Sequence, residues 1–161
     1  MRTPPPTESN RQPSSHLTKR ILVCLDASPR APLVLALAVE IARRHGARLV
    51  LLRVVGLPAH VDQDSVVHAE RVLADELVAR AVTDLWVLAE QVPSRLFEGI
   101  DVHLGAPWDT ICREAVMRDC DLVVLGSHPH SLLGRAFGNT ASKVVNNCDR
   151  PVFFVRTPAI A

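Results

Sequence analysis

From Lys19 to Arg156 the chain alternates short, almost wholly apolar runs with longer stretches of helical periodicity, and nothing else in the sequence restricts its fold as much. Ile21 to Leu25 has the composition of a buried strand, and Asp26-Ala-Ser-Pro-Arg30 is a turn rich in helix-starting residues. The next stretch places Val34, Leu37, Ala38 and Ile41 on one helical face, with Gly46 where a helix needs a left-handed end. Arg48 to Val55 is a second strand, apolar enough to be covered on both sheet faces. A long helix is expected from about Ser65 to Pro93, with Ala69, Leu73, Leu77, Ala81, Leu88 and Val92 inward and Glu70, Arg71, Asp75, Glu76, Arg80 and Asp84 on a solvated face.

Ile100 to Leu104 is a third, short strand, ended by Gly105-Ala-Pro107. A helix follows with Trp108, Ile111, Cys112 and Ala115 on one face. Asp121 to Leu125 is a fourth strand, a final helix turns Ala141, Val144, Val145 and Cys148 to one side, and Pro151 to Val155 is a fifth strand. Strands alternating with helices of this length require right-handed crossovers, hence a doubly wound α/β domain with a parallel sheet and helices on both faces. Ligands of such sheets bind outside the carboxyl ends of the strands, where the strand order reverses. Asp26 follows strand one and Gly126 ends strand four, so both belong to that edge.

The 161 residues suit one domain over residues 19–157, preceded by a proline-rich segment, residues 1–18, expected to be disordered. A net charge of +1, with Lys and Arg scattered, gives no electrostatic case for nucleic acid or a membrane surface. The longest apolar run, Leu33 to Val39, is far short of the roughly 18 residues of a membrane span. Cys24, Cys112, Cys120 and Cys148 form no close pair, which points to free thiols in a reducing cytoplasm and away from a zinc site. The sequence lacks both GxGxxG after a strand and GxxxxGK[ST], which disfavours dinucleotide oxidoreductases and phosphate-loop NTPases.

Several segments are informative when taken in order: Ile21-Leu-Val-Cys-Leu-Asp26-Ala-Ser28, Ala42-Arg-Arg-His-Gly-Ala-Arg-Leu-Val-Leu-Leu-Arg-Val-Val55, Gly105-Ala-Pro107 and Asp121-Leu-Val-Val-Leu-Gly-Ser-His128. Gly138-Asn-Thr-Ala-Ser-Lys-Val-Val145 and Pro151-Val-Phe-Phe-Val155 complete the set. Together and in this order they resemble the universal stress protein family. The resemblance implies a five-stranded parallel sheet in the order 3-2-1-4-5 and a homodimer. It also implies a site for adenine nucleotide, as ATP with Mg, in which Asp26 and Val54 meet the base while Gly126, Gly138, Asn139 and Thr140 meet ribose and phosphates.

Members that bind ATP carry a loop of Gly, two residues, Gly, nine residues, Gly, then Ser or Thr. Here Gly126 matches the first position, but Pro129 stands at the second. Keeping the spacing puts Asn139 at the third glycine and Thr140 at the hydroxyl. Aligning Gly138 instead leaves the loop one residue short, and is preferred because Gly138-Asn-Thr-Ala followed by Lys143-Val-Val145 matches the members' helix start. Proline offers no N–H to a phosphate and fixes φ near −65°, so nucleotide binding is expected to be impaired.

His128, His130 and Arg135 also lie in this loop, without a partner carboxylate in view, and surface roles are favoured for them over catalysis. The expected protein is therefore a regulatory or protective module rather than an enzyme. The alternatives are a nucleotide-free dimeric interaction module and a slow ATPase or self-phosphorylating protein. Because Pro151 to Val155 forms an apolar sheet edge, dimerisation is expected there.

Overall fold

The computed structural model describes residues 18–56, 67–127 and 139–156. Five strands and four helices alternate along the chain: β1 Arg20–Cys24, α1 Ala31–His45, β2 Arg48–Val55, α2 Val67–Ala89, β3 Phe97–Leu104, α3 Pro107–Met117, β4 Leu122–Ser127, α4 Asn139–Asn147 and β5 Val152–Arg156. All neighbouring strands are parallel, in the order β3-β2-β1-β4-β5. Residues 1–17, where a disordered tail is expected, and the loop that holds His128, Pro129, His130, Arg135 and Gly138 lie outside the described residues.

Alternation along the central strands divides the core into two layers. Ile21, Val23, Leu49, Leu51 and Val124 face α1 and α2, where they meet Val34, Leu35, Ala38, Leu85 and Leu88. Leu22, Val50, Leu52, Val123 and Leu125 face α3 and α4, where they meet Ile111, Ala115, Ala141 and Val144. A strand apolar at every position is stable only when both of its faces are covered. The helices supply that cover, and Gly46 ends α1 in the left-handed conformation (φ 67°) with its N–H bonded to the Ala42 carbonyl.

Three aliphatic residues expected inward point outward instead. Leu37, Leu73 and Val145 are all exposed, because each lies one residue, about 100°, off a stripe that already meets the sheet. The α1 stripe is Val34, Leu35, Ala38 and Ala42, and the α2 stripe runs through Ala74, Ala81, Leu85, Leu88 and Ala89. Strand β3 starts three residues earlier than Ile100, and its register with β2 shifts by one residue opposite Leu49 and Val50.

The two edge strands differ in character. On β3, Glu98 pairs with Arg20, Asp101 with Arg118, and His103 approaches the buried Glu114, which Arg113 also approaches. Such a charged edge discourages further strand pairing. On β5, Phe153 is exposed beside Val152 and Phe154.

The start of the sheet is held by Asp121, whose carboxylate accepts the N–H groups of Lys19 (2.7 Å) and Arg20 (2.9 Å). Burial alone would raise this carboxyl, but the two N–H donors outweigh it and hold it below the ordinary carboxylate value. A depressed folded-state value stabilises the fold above the unfolded pKa of about 3.9, and that contribution disappears as pH falls through the lowered value. Asp121→Asn should therefore flatten the acid limb of stability below about pH 4. Urea titrations of both proteins between pH 2 and pH 7 check this; parallel curves would show that Asp121 contributes nothing.

Candidate functional site

Strands β1 and β4 are adjacent, yet the chain leaves them for opposite faces of the sheet, toward α1 and toward α4. A crevice at the carboxyl ends follows from that reversal. The register pairs Cys24 with both Leu52 and Leu125, so Asp26, Val54 and Gly126 emerge at neighbouring strand ends. Asn139 and Thr140 open α4 beyond β4. The structure thus brings Asp26, Val54 and Gly126 together, while Gly138 falls outside the described residues.

Each of these residues also has local structural work. The Asp26 side chain is exposed, and its Oδ1 accepts the N–H of Ser28 (3.0 Å), closing the turn before α1. Val54 is half-buried against the α3 and α4 layer, and Thr140 is half-buried in the first turn of α4. At Gly126 a Cβ would stand 3.1 Å from Cγ2 of Val34, a β-branched side chain held in a helix. A side chain at 126 would therefore press on Val34 of α1, whatever binds at the edge.

One residue of the site was not anticipated from the sequence. Arg53, only 6% exposed, lies under the β1–α1 turn. Its Nε donates to the Leu25 carbonyl (3.1 Å) and its Nη2 to the Asp26 carbonyl (2.9 Å). Its Nη1 donates to Asp84 (3.3 Å), on the helix face expected to be merely solvated. The guanidinium thus fixes the backbone that carries Asp26. A lone arginine inside Leu49-Val-Leu-Leu-Arg-Val-Val55 was the available signal, since a charge in a covered strand needs partners.

The cysteines are free: Cys120 is buried, and Cys24, Cys112 and Cys148 are half-buried. Desolvation pushes the Cys112 and Cys120 thiols up to about 11, which keeps them protonated near neutrality. Among the described residues no group of His, Cys, Asp or Glu is arranged to hold a metal ion, and no helix is long and apolar enough to cross a membrane.

The fold is that of a doubly wound α/β protein with its topological switch point between β1 and β4. The profile of the universal stress protein family matches residues 18–156, and the chain belongs to that family. Among solved structures it is similar to the universal stress protein UspA from Lactobacillus plantarum, with 28% identity, a TM-score of 0.72, and 86% of this chain and 98% of that one covered. The hypothetical protein MJ0577, whose biochemical function was assigned from its structure, superposes with a TM-score of 0.75 at 22% identity, covering 88% of this chain and 97% of that one. A universal stress protein from Archaeoglobus fulgidus in complex with dAMP is 25% identical, with a TM-score of 0.53 and coverage of 86% and 98%. No curated protein matches the chain significantly.

Proposed function

We propose that this chain is a cytoplasmic, homodimeric regulatory or protective module that holds an adenine nucleotide at the β1/β4 switch point with reduced affinity. The convergence of Asp26, Val54 and Gly126 at adjacent strand ends carries this reading, in a family with a dAMP-complexed member. Asp26 and Val54 are the base contacts. Gly126, Gly138, Asn139 and Thr140 serve the ribose and phosphates, helped by the N–H groups and dipole at the start of α4. Magnesium would arrive on the phosphates of ATP, as it does where one or two protein oxygens complete its shell.

Pro129 is the reason for the reduced affinity, since it withholds one N–H from the anion and excludes a left-handed glycine turn. Binding without fast turnover fits a signalling or protective role better than an enzymatic one. The same proline favours a second reading, an interaction module that binds no nucleotide. Thermal unfolding with and without about 5 mM ATP and magnesium separates the two. For a dissociation constant near 0.5 mM, ligand linkage adds about 1.4 kcal/mol and raises Tm by several degrees. An unchanged Tm would favour the nucleotide-free module.

A further inference from the structure

We propose that Trp108 is the aromatic platform of the nucleobase subsite, and that Lys143, which lies over its ring, leaves that ring for the ligand's phosphate on binding. This inference rests on the adenine-nucleotide reading above and names two residues that reading does not use. Gly105, at φ 147°, turns the chain out of β3, and Pro107 opens α3 immediately after. That turn sets Trp108 in the first turn of α3, at the carboxyl edge of the sheet. Trp108 packs against the same apolar layer as Val54 and Cys24, the residues at the strand ends, but is only half-buried. Its neighbours on the α3 stripe, Ile111 and Ala115, are fully covered by the sheet.

The Lys143 ammonium lies 5.7 Å from the centroid of the Trp108 ring, so an indole in the first turn of α3 has a cation from the middle of α4 over its face. Lys143 is exposed and sits one helical turn after Thr140, on the same side of α4. An exposed cation–π contact contributes roughly a two- to fivefold preference. Stacking of a base on an aromatic ring contributes roughly five- to a hundredfold. The base therefore displaces the ammonium, and the ammonium gains a phosphate on the Thr140 side. The ligand class this selects is a nucleotide with at least one phosphate: an anion without a ring leaves the indole unused, and a nucleoside leaves the lysine unused.

The chain has two tryptophans, and Trp86 stands on α2 against Phe97, in the opposite layer. Trp86→Phe protein therefore reports Trp108 alone. Titration with AMP should quench its emission in proportion to the calorimetric binding curve, while tripolyphosphate, which has no ring to stack, should not quench it. Trp108→Ala should weaken AMP roughly tenfold or more, and Trp108→Phe should restore most of that loss. Lys143→Ala should weaken ATP several-fold yet leave adenosine binding equal or tighter. AMP binding with unchanged Trp108 emission and equal affinity in Trp108→Ala would overturn the platform and leave the nucleotide reading standing. Absence of any binding heat for the intact protein would end both. If Trp108→Ala fails to fold by circular dichroism, the emission titration and the phenylalanine variant decide.

Discussion

Replacing Arg53 by methionine should lower the unfolding free energy by about 3 kcal/mol, because the loss is that of two charge-assisted hydrogen bonds to carbonyls under a turn. Methionine keeps much of the apolar stem of this buried side chain. It leaves the Leu25 and Asp26 carbonyls without the donors that Arg53 supplies at 3.1 and 2.9 Å. The ion pair itself contributes little to this figure. The Asp84 side chain is 52% exposed, so its carboxylate returns to water when the guanidinium is removed. Arg53→Lys keeps the charge but not the fork, and should recover less than half the loss. Urea unfolding measures all three proteins. A methionine variant within about 0.5 kcal/mol of the parent would mean that solvent satisfies the two carbonyls and that Arg53 does not hold the turn.

The second large effect concerns assembly. At tens of micromolar the protein should sediment at twice its 17.6 kDa chain mass, and Phe153→Glu should shift it to monomer. The physical ground is the contrast between the sheet edges. β3 carries Glu98 and Asp101 in ion pairs and His103 beside Glu114, while β5 presents Val152, Phe153 and Phe154 with Phe153 44% exposed. A sheet edge lined by exposed apolar side chains associates readily with another strand, and a second copy supplies an identical one. Because Phe153 is already exposed in the single chain, a glutamate there should cost the fold little while placing like charges opposite each other in the dimer. A parent protein that sediments only as monomer would contradict the β5 interface, as would a Phe153→Glu protein that remains dimeric.

Much of the architecture is legible in the sequence because the central strands are apolar at consecutive positions. Leu49 to Leu52 cannot face water on either side, and that alone demands helices on both faces and hence crossovers. The Gly46 cap is legible for a similar reason, since few other residues tolerate φ 67°. The inward faces of the helices were harder to assign. Leu37 and Leu73 are as apolar as their buried neighbours, and only the sheet's position shows that they stand one residue off the stripe.

Asp26, Val54 and Gly126 could be named from motif order, and a turn carboxylate at 26 and a strand end that needs room at 126 are also readable there, but not that Ser28 is the donor to Asp26 or that Val34 is the group beside Gly126. Arg53 was hidden by its setting: its partners are backbone carbonyls 27 and 28 residues away, which leave no trace in residue types. Trp108 was legible as an apolar residue of α3, but its position beside Lys143 depends on how α3 and α4 pack.

Calorimetric titration of the protein with ATP and magnesium, beside Asp26→Asn and Gly138→Ala variants, is the most direct test of nucleotide binding at the switch point. Gly126 variants are unsuitable because a Cβ there meets Val34 before any ligand is considered. A dissociation constant on the order of 0.1–1 mM is predicted, a binding free energy of about −4 to −5.5 kcal/mol, with both variants weaker. No heat at about 5 mM ATP would contradict nucleotide binding, and sub-micromolar affinity indifferent to Asp26 and Gly138 would contradict both the impairment and the site.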